Sequence, residues 1–154
     1  MVDVLTPAQR QLNMSRIRGR DTKPEMLIRR GLHARGFRYR LHVRTLSGSP
    51  DLVFPKYHAV IFVHGCFWHS HRCDLSKVPR TRPEFWKRKL ARNAERDRTS
   101  IQSLKAAGWR VLIVWECALR GRQRFEADHL IGTIARYVRS SSSTFLELGC
   151  SSAL

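Results

Sequence analysis

Two apolar runs, AVIFVH (59–64) and WRVLIVW (109–115), do most to limit how this chain can fold. Both are short and rich in branched residues, the composition of strands covered on both faces. Between them lies TRPEFWKRKLARNAERDRTSIQSLKAAG (81–108), which reads as one long helix. Thr81 stands three residues before Glu84, a capping-box spacing, and Gly108 supplies the stop. A further buried strand is expected at DLVF (51–54), after the turn residues SGSP. FRYRLHV (37–43) alternates apolar and polar residues and predicts a half-exposed strand.

The flanks complete the pattern. DTKPEMLIRRGLHARG (21–36) predicts a helix, with Thr22 and Glu25 at capping-box spacing, Pro24 in the first turn, Gly36 as stop, and Met26, Leu27 and Leu32 facing a core. A last helix is expected over about 125–139, and from Ser140 the serines predict a floppy tail, 140–154. Residues 1–20 form a basic arm whose short helix carries little to pack beyond Leu12, Met14 and Ile17, so it is expected to dock late or on a partner. Residues 21–139 are then one α/β or α+β domain around a central mixed β-sheet.

Charge narrows the partner. Lys and Arg number 29 against 12 Asp and Glu, a net +17 spread through the chain, which calls for a polyanion. No apolar run approaches the roughly 18 residues of a spanning helix, so nucleic acid is preferred over membrane. The N-terminus has no secretory pattern, and a cytoplasmic, nucleoid-associated protein with reduced cysteines is expected. Four cysteines, Cys66, Cys73, Cys117 and Cys150, therefore suggest a metal site before disulfides.

The loop HGCFWHSHRC (64–73) concentrates the chemistry. Cys66, His71 and Cys73, joined by Cys117 just past WRVLIVW, can close a tetrahedron with no open position, a structural Zn2+ site. Spacing alone equally allows His64 or His69 as the histidine ligand, and buried cysteines without metal are the plainer reading. Asp51, at the start of one strand, and IFVH, at the end of the next, can meet at one sheet edge and hold a hard cation such as Mg2+, although Pro-Asp is also ordinary turn chemistry. Asp97 falls on the inward line of Leu90, Ala94, Ile101 and Leu104, where a carboxylate needs a cation or a histidine. The alternative is an exposed acid answering Arg96 and Arg98. Phe67, Trp68 and Trp86 are candidates to stack on or wedge between bases, and Trp86, Lys89 and Asn93 share one helix face. Phe85 beside Trp86 suggests that one of the two rings is exposed.

The stretches NMSRIRGRDTKPE, GSPDLVF, VIFVHGCFWHSHRC, RTRPEFWKRKLARNAERDR and GWRVLIVWECALRGR, within about residues 12–122, resemble the very-short-patch repair endonuclease family, whose members nick DNA at T·G mismatches. The resemblance implies an α/β restriction-endonuclease-like core, its central mixed sheet flanked by helices, with a structural zinc loop. It implies that Asp51 and the main-chain carbonyl of Val63 bind the catalytic Mg2+, while His64 and Glu25 act on waters or the phosphate. By the same resemblance His69 is the general base, oriented by Asp97, and Zn2+ falls to Cys66, His71, Cys73 and Cys117; Cys150 has no family role. Phe67, Trp68 and Trp86 would enter the helix beside the mismatch, Lys89 and Asn93 would read the mispaired edges, and Met14 and Ile17 would close over the minor groove. The implied reaction leaves 5'-phosphate and 3'-hydroxyl on the 5' side of the thymine, after deamination of 5-methylcytosine. The expected partner is double-stranded DNA with a T·G mismatch, met by a monomer, with other repair proteins as further contacts. Ser70 departs from the family, so a helper histidine there is absent. The competing readings are a non-catalytic zinc-stabilised DNA-binding module and a restriction-type nuclease of the same core with another target.

Overall fold

A computed structural model describes residues 21–150 together with Thr6 and Ala8. The expectations for the N-terminal arm, Met14 and Ile17 included, lie outside the described residues. The elements are α1 (Lys23–Ala34), β1 (Arg40–Leu41), β2 (Leu52–Phe54), β3 (Ala59–His64), α2 (Pro83–Ala106), β4 (Arg110–Trp115), α3 (Ala127–Ser140) and β5 (Phe145–Leu148), with short 3-10 turns at Pro55–Tyr57 and Glu116–Ala118. One five-stranded sheet runs in the order β1-β2-β3-β4-β5. The first two pairings are antiparallel and the last two parallel, so the central mixed sheet is present.

Side-chain alternation divides the sheet between two cores. Ala59 and Ile61 of β3 with Leu112 and Val114 of β4 pack beneath α1 and α3, through Ile28, Leu32, Leu130, Ile134 and Val138. Val60 and Phe62 with Val111, Ile113 and Trp115 turn to the other face, towards Leu104 of α2. Each such fully buried aliphatic or aromatic side chain contributes on the order of 1.5–3 kcal/mol. Arg110 ties the layers together: its guanidinium donates to the carbonyls of Tyr137 and Val138, at the end of α3, and of Tyr57. There it satisfies carbonyls that a helix end leaves open.

Several expectations are corrected. FRYRLHV pairs only at Arg40–Leu41, because the backbone leaves the extended region at His42, with φ of 48°. In α1 it is Ile28, not Leu27, that joins Leu32 in the core; Leu27 is exposed. The Thr22 hydroxyl does accept the Glu25 N–H at 3.4 Å, but the Glu25 carboxylate takes the N–H of Asp21, and not that of Thr22. At α2 the capping box at Thr81 does not form: Arg82 is the N-cap, in a left-handed conformation with no side-chain hydrogen bond. The serine-rich tail is not floppy throughout. Ser143 acts as a turn, its carbonyl accepting from the Tyr137 hydroxyl, and the apolar FLEL that follows takes the open edge of β4. Composition hid this strand because four serines and a threonine precede only four residues with strand pattern. Among the described residues no helix is long and apolar enough to cross a membrane.

Candidate active site and metal centre

Because β2 runs antiparallel to β3 with Leu52 opposite Ile61, the start of β2 and the end of β3 share one edge of the sheet. Asp51 therefore meets the last residues of β3, and its Oδ2 accepts the Val63 N–H at 2.7 Å. Helix α1 brings Glu25, only 2% exposed, to the same edge. Glu25 lies near enough to Asp51 for the two carboxyls to influence each other electrostatically. Burial pushes the Asp51 carboxyl up to about 7; the Val63 N–H pulls the other way, and the Glu25 charge adds to the rise. Two neighbouring carboxyls, one buried and one half-buried, are relieved by a small divalent cation, and the all-oxygen character of the pair suits a hard one.

Sequence reasoning missed the nitrogen-bearing partners of this cluster. Arg29 Nη1 lies 2.6 Å from Asp21 Oδ1 and 3.2 Å from Glu25 Oε2. His42 Nε2 lies 3.1 Å from Glu25 Oε2 and 3.4 Å from Asp21 Oδ1, and His42 Nδ1 is 3.7 Å from Asp51 Oδ1. Strand alternation pointed to a polar position at 42 but not to the left-handed turn that aims the ring at the acids.

Across the same cleft, of about 610 Å³, stands a second group. His69, on the loop after β3, directs Nδ1 to Asp97 Oδ2 of α2 at 2.6 Å. With Nδ1–H donated to the carboxylate, Nε2 keeps its lone pair and can accept a proton. His64 stacks flat on His69, ring centroids 3.8 Å apart. It is 6% exposed, and burial, followed by the His69 charge, lowers its pKa to about 3, so the ring is neutral near neutrality. Its buried Nδ1 has no hydrogen-bond partner within the described protein. The cleft wall depends on Gly48: at φ of +75° it lies against α2 so closely that a Cβ would fall 2.9 Å from Ser100 Cβ. A side chain there would push the loop off the helix and open the cleft.

The thiol cluster follows from parallel register. His64 pairs with Trp115, so Cys66 and Cys117, each two residues further on, emerge side by side. Their ligand atoms and those of His71 and Cys73 all lie within 4.8 Å of one another. The four cysteines form no disulfide. Burial raises the Cys66 thiol to about 12 and pushes Cys117 upwards too, so these sulfurs stay protonated unless a cation is bound. Three thiolates and an imidazole are a set that closes tetrahedrally around zinc. His71 offers Nδ1, 3.4 Å from Cys117 Sγ, and its ring stacks on Trp115 with centroids 4.2 Å apart. Backbone N–H groups surround the sulfurs: that of Cys117 donates to Cys66 Sγ at 3.3 Å, and that of Cys150 to Cys117 Sγ at 3.1 Å. Cys150 thus supports the centre by way of β5, a role for which a serine-rich segment carries no sequence signal.

The structure also brings Phe67, Trp68 and Trp86 into one edge-to-face cluster, with centroids 5.0 to 5.9 Å apart. Lys89 Nζ hangs 5.6 Å over Trp68 and 5.8 Å over Trp86. Asn93 donates to the Trp68 carbonyl at 3.1 Å, so part of its amide is engaged in holding the loop. Phe85, not Trp86, is the exposed ring of that pair, at 38%.

Comparison with known proteins agrees with the class that this architecture defines: the protein is an endonuclease on a restriction-endonuclease-like core. The sequence profile described as DNA mismatch endonuclease Vsr matches residues 2–75. DNA mismatch endonuclease Vsr of Escherichia coli (strain K12) is 47% identical over 138 residues, covering 90% of this chain and 88% of its own. Type II nicking enzyme V.XorIIP of Xanthomonas oryzae pv. oryzae is 43% identical over 127 residues, 82% of this chain and 93% of its own. Type II nicking enzyme V.HpaIIP of Haemophilus parainfluenzae is 34% identical over 141 residues, 90% of this chain and all of its own. The chain belongs to the DNA mismatch endonuclease Vsr family.

Proposed function

We propose that the protein is a Mg2+-dependent endonuclease that nicks one DNA strand on the 5' side of the thymine in T·G mismatches, with Zn2+ as a structural ion. One observation carries this reading: Asp51 and the His69–Asp97 pair line the same cleft. His69 Nε2 takes the proton of the attacking water, and Asp97 holds the ring in the tautomer that makes this possible. Neutral His64, stacked beneath it, lies against the imidazolium as it forms and faces the phosphate. Asp51 and the Val63 carbonyl would hold Mg2+, with Glu25 acting on waters or the phosphate, and the ion when bound supplies charge neutralisation at the phosphate and leaving oxygen. Cys66, His71, Cys73 and Cys117 would hold Zn2+ and so anchor the loop that bears His69.

Phe67, Trp68 and Trp86 are read as the wedge that opens the helix at the mismatch. Opening a base step costs a few kcal/mol and least at a mispair, so the cost itself favours T·G over T·A. Lys89 and Asn93 would read the mispaired edges, and the basic N-terminal arm with Met14 and Ile17 would close over the minor groove. The protein would act as a monomer at the nucleoid, in repair of deaminated 5-methylcytosine. The test is a purified, zinc-loaded protein given a T·G duplex and its T·A control, with Mg2+ or with chelator. A single nick in the T·G duplex with Mg2+ is expected. Tight mismatch binding without product would instead mean a binding module, and double-strand cleavage of paired DNA a restriction-type enzyme.

A further inference from the structure

His42 is not part of the catalytic set assigned above, yet it is the side chain that spans that set. Its backbone sits at φ of 48°, a left-handed conformation that costs a non-glycine residue free energy. A hydrogen bond from its N–H to the Asp51 carbonyl, at 3.2 Å, fixes the residue beside Asp51. The ring then offers Nε2 to the buried Glu25 carboxylate at 3.1 Å. An ionised carboxylate only accepts, so a neutral imidazole in this place carries its proton on Nε2 and its lone pair on Nδ1. That lone pair faces Asp51 Oδ1 across 3.7 Å, too long for a hydrogen bond. Two donors on one small divalent cation, each about 2.1 Å from it, lie at most about 4.2 Å apart, so the gap fits a shared ion. Asp51's other oxygen is already taken by Val63 N–H, which leaves Oδ1 as the one directed to the ring.

We propose that His42 Nδ1 is a direct nitrogen ligand of the divalent cation held by Asp51, with Glu25 as the carboxylate that fixes the ring from behind. The inference rests on the reading of Asp51 as the cation site. The arrangement is that of metal-binding histidines in general, whose second nitrogen donates to a carboxylate. Asp21, Glu25 and His42 Nε2 also converge, but the Arg29 guanidinium already occupies those carboxylates at 2.6 and 3.2 Å and would repel a cation there. A nitrogen ligand makes the site more welcoming to Mn2+ and later transition metals than an all-oxygen site would be.

The zinc-loaded full chain is titrated with Mn2+ and studied by pulsed electron paramagnetic resonance, which detects nitrogen bound to Mn2+ without any turnover. The wild type should show one tight Mn2+ with imidazole nitrogen coupling. His42→Gln should lose the coupling and bind Mn2+ at least about tenfold more weakly, and its nicking rate with Mn2+ relative to Mg2+ should fall. His69→Gln should keep the coupling. Should His42→Gln fold poorly by circular dichroism, His42→Asn serves in its place. Mn2+ bound without nitrogen coupling in the wild type, or coupling that survives in His42→Gln or vanishes in His69→Gln, overturns the role of His42. Undiminished Mn2+ binding in Asp51→Asn overturns the cation site itself, a separate failure.

Discussion

At the scale of single residues, the proposed function gives different work to two histidines two positions apart, His69 as base and His71 as zinc ligand. Spacing alone left either free to bind metal, because both lie on one loop and both are imidazoles. What separates them is tertiary: β4 places Cys117 near His71, and α2 places Asp97 near His69. His69→Ala should lower nicking by about 10²–10⁴-fold, the contribution of a general base. Bound zinc should be unchanged by metal analysis, and a loss of zinc would mean that base and ligand have been exchanged. His64 gives a pH prediction. Its pKa falls from about 6.5 unfolded to about 3 folded, so between these values the unfolded chain binds a proton that the folded protein refuses. Stability attributable to this residue is full above the window and falls as pH drops through it, by at most about 1.4 kcal/mol per pH unit. In paired urea titrations at pH 6.5 and 4.5, His64→Phe should gain on the parent by up to about 2–3 kcal/mol as the pH is lowered. A constant difference between the two would contradict a buried neutral His64.

At the scale of elements, the inner strands β2, β3 and β4 were legible because buried branched runs have few other uses, and α2 was legible from its period. Edges were not. The extent of β1 is cut by one left-handed residue, and β5 is a four-residue strand whose stability comes from the open side of β4 and not from its own pattern. This hidden strand bears on the metal centre, since three parallel strands deliver Cys66, Cys117 and Cys150 to one end of the sheet. Cys117→Ser should lower both zinc content and melting temperature, because a site with three protein ligands no longer closes. Removing residues 145–154 deletes the Cys150 N–H that donates to Cys117 Sγ at 3.1 Å and uncovers β4. Such a chain should surrender zinc to a chromogenic chelator faster than the full chain, with the difference growing as temperature rises. Equal release rates would confine β5 to covering the sheet.

At the scale of the whole molecule, a charge of +17 coexists with a cleft lined by the acids Asp51 and Asp97. Under the proposed function, attraction for DNA and recognition of a mismatch would therefore reside in different places and follow different physics. Phosphate contacts release counterions, so affinity for any duplex should fall steeply with salt, by about 10³–10⁵ between 50 and 200 mM for six to ten contacts. As the proposed wedge, the aromatic cluster of Phe67, Trp68 and Trp86 would displace bases, and its free energy would depend on stacking, not on counterions. Plots of log affinity against log salt for T·G and T·A duplexes, measured by fluorescence anisotropy with Ca2+ in place of Mg2+, should then be parallel lines separated by a constant offset. Trp86→Ala should shrink the offset and leave both slopes untouched. Substituting exposed arginines of α2, such as Arg88 and Arg92, should lower both slopes together while the offset stays. If Trp86→Ala instead lowered affinity equally for both duplexes, the aromatic cluster would serve general DNA binding, and discrimination would have to arise from Lys89 and Asn93 beside it.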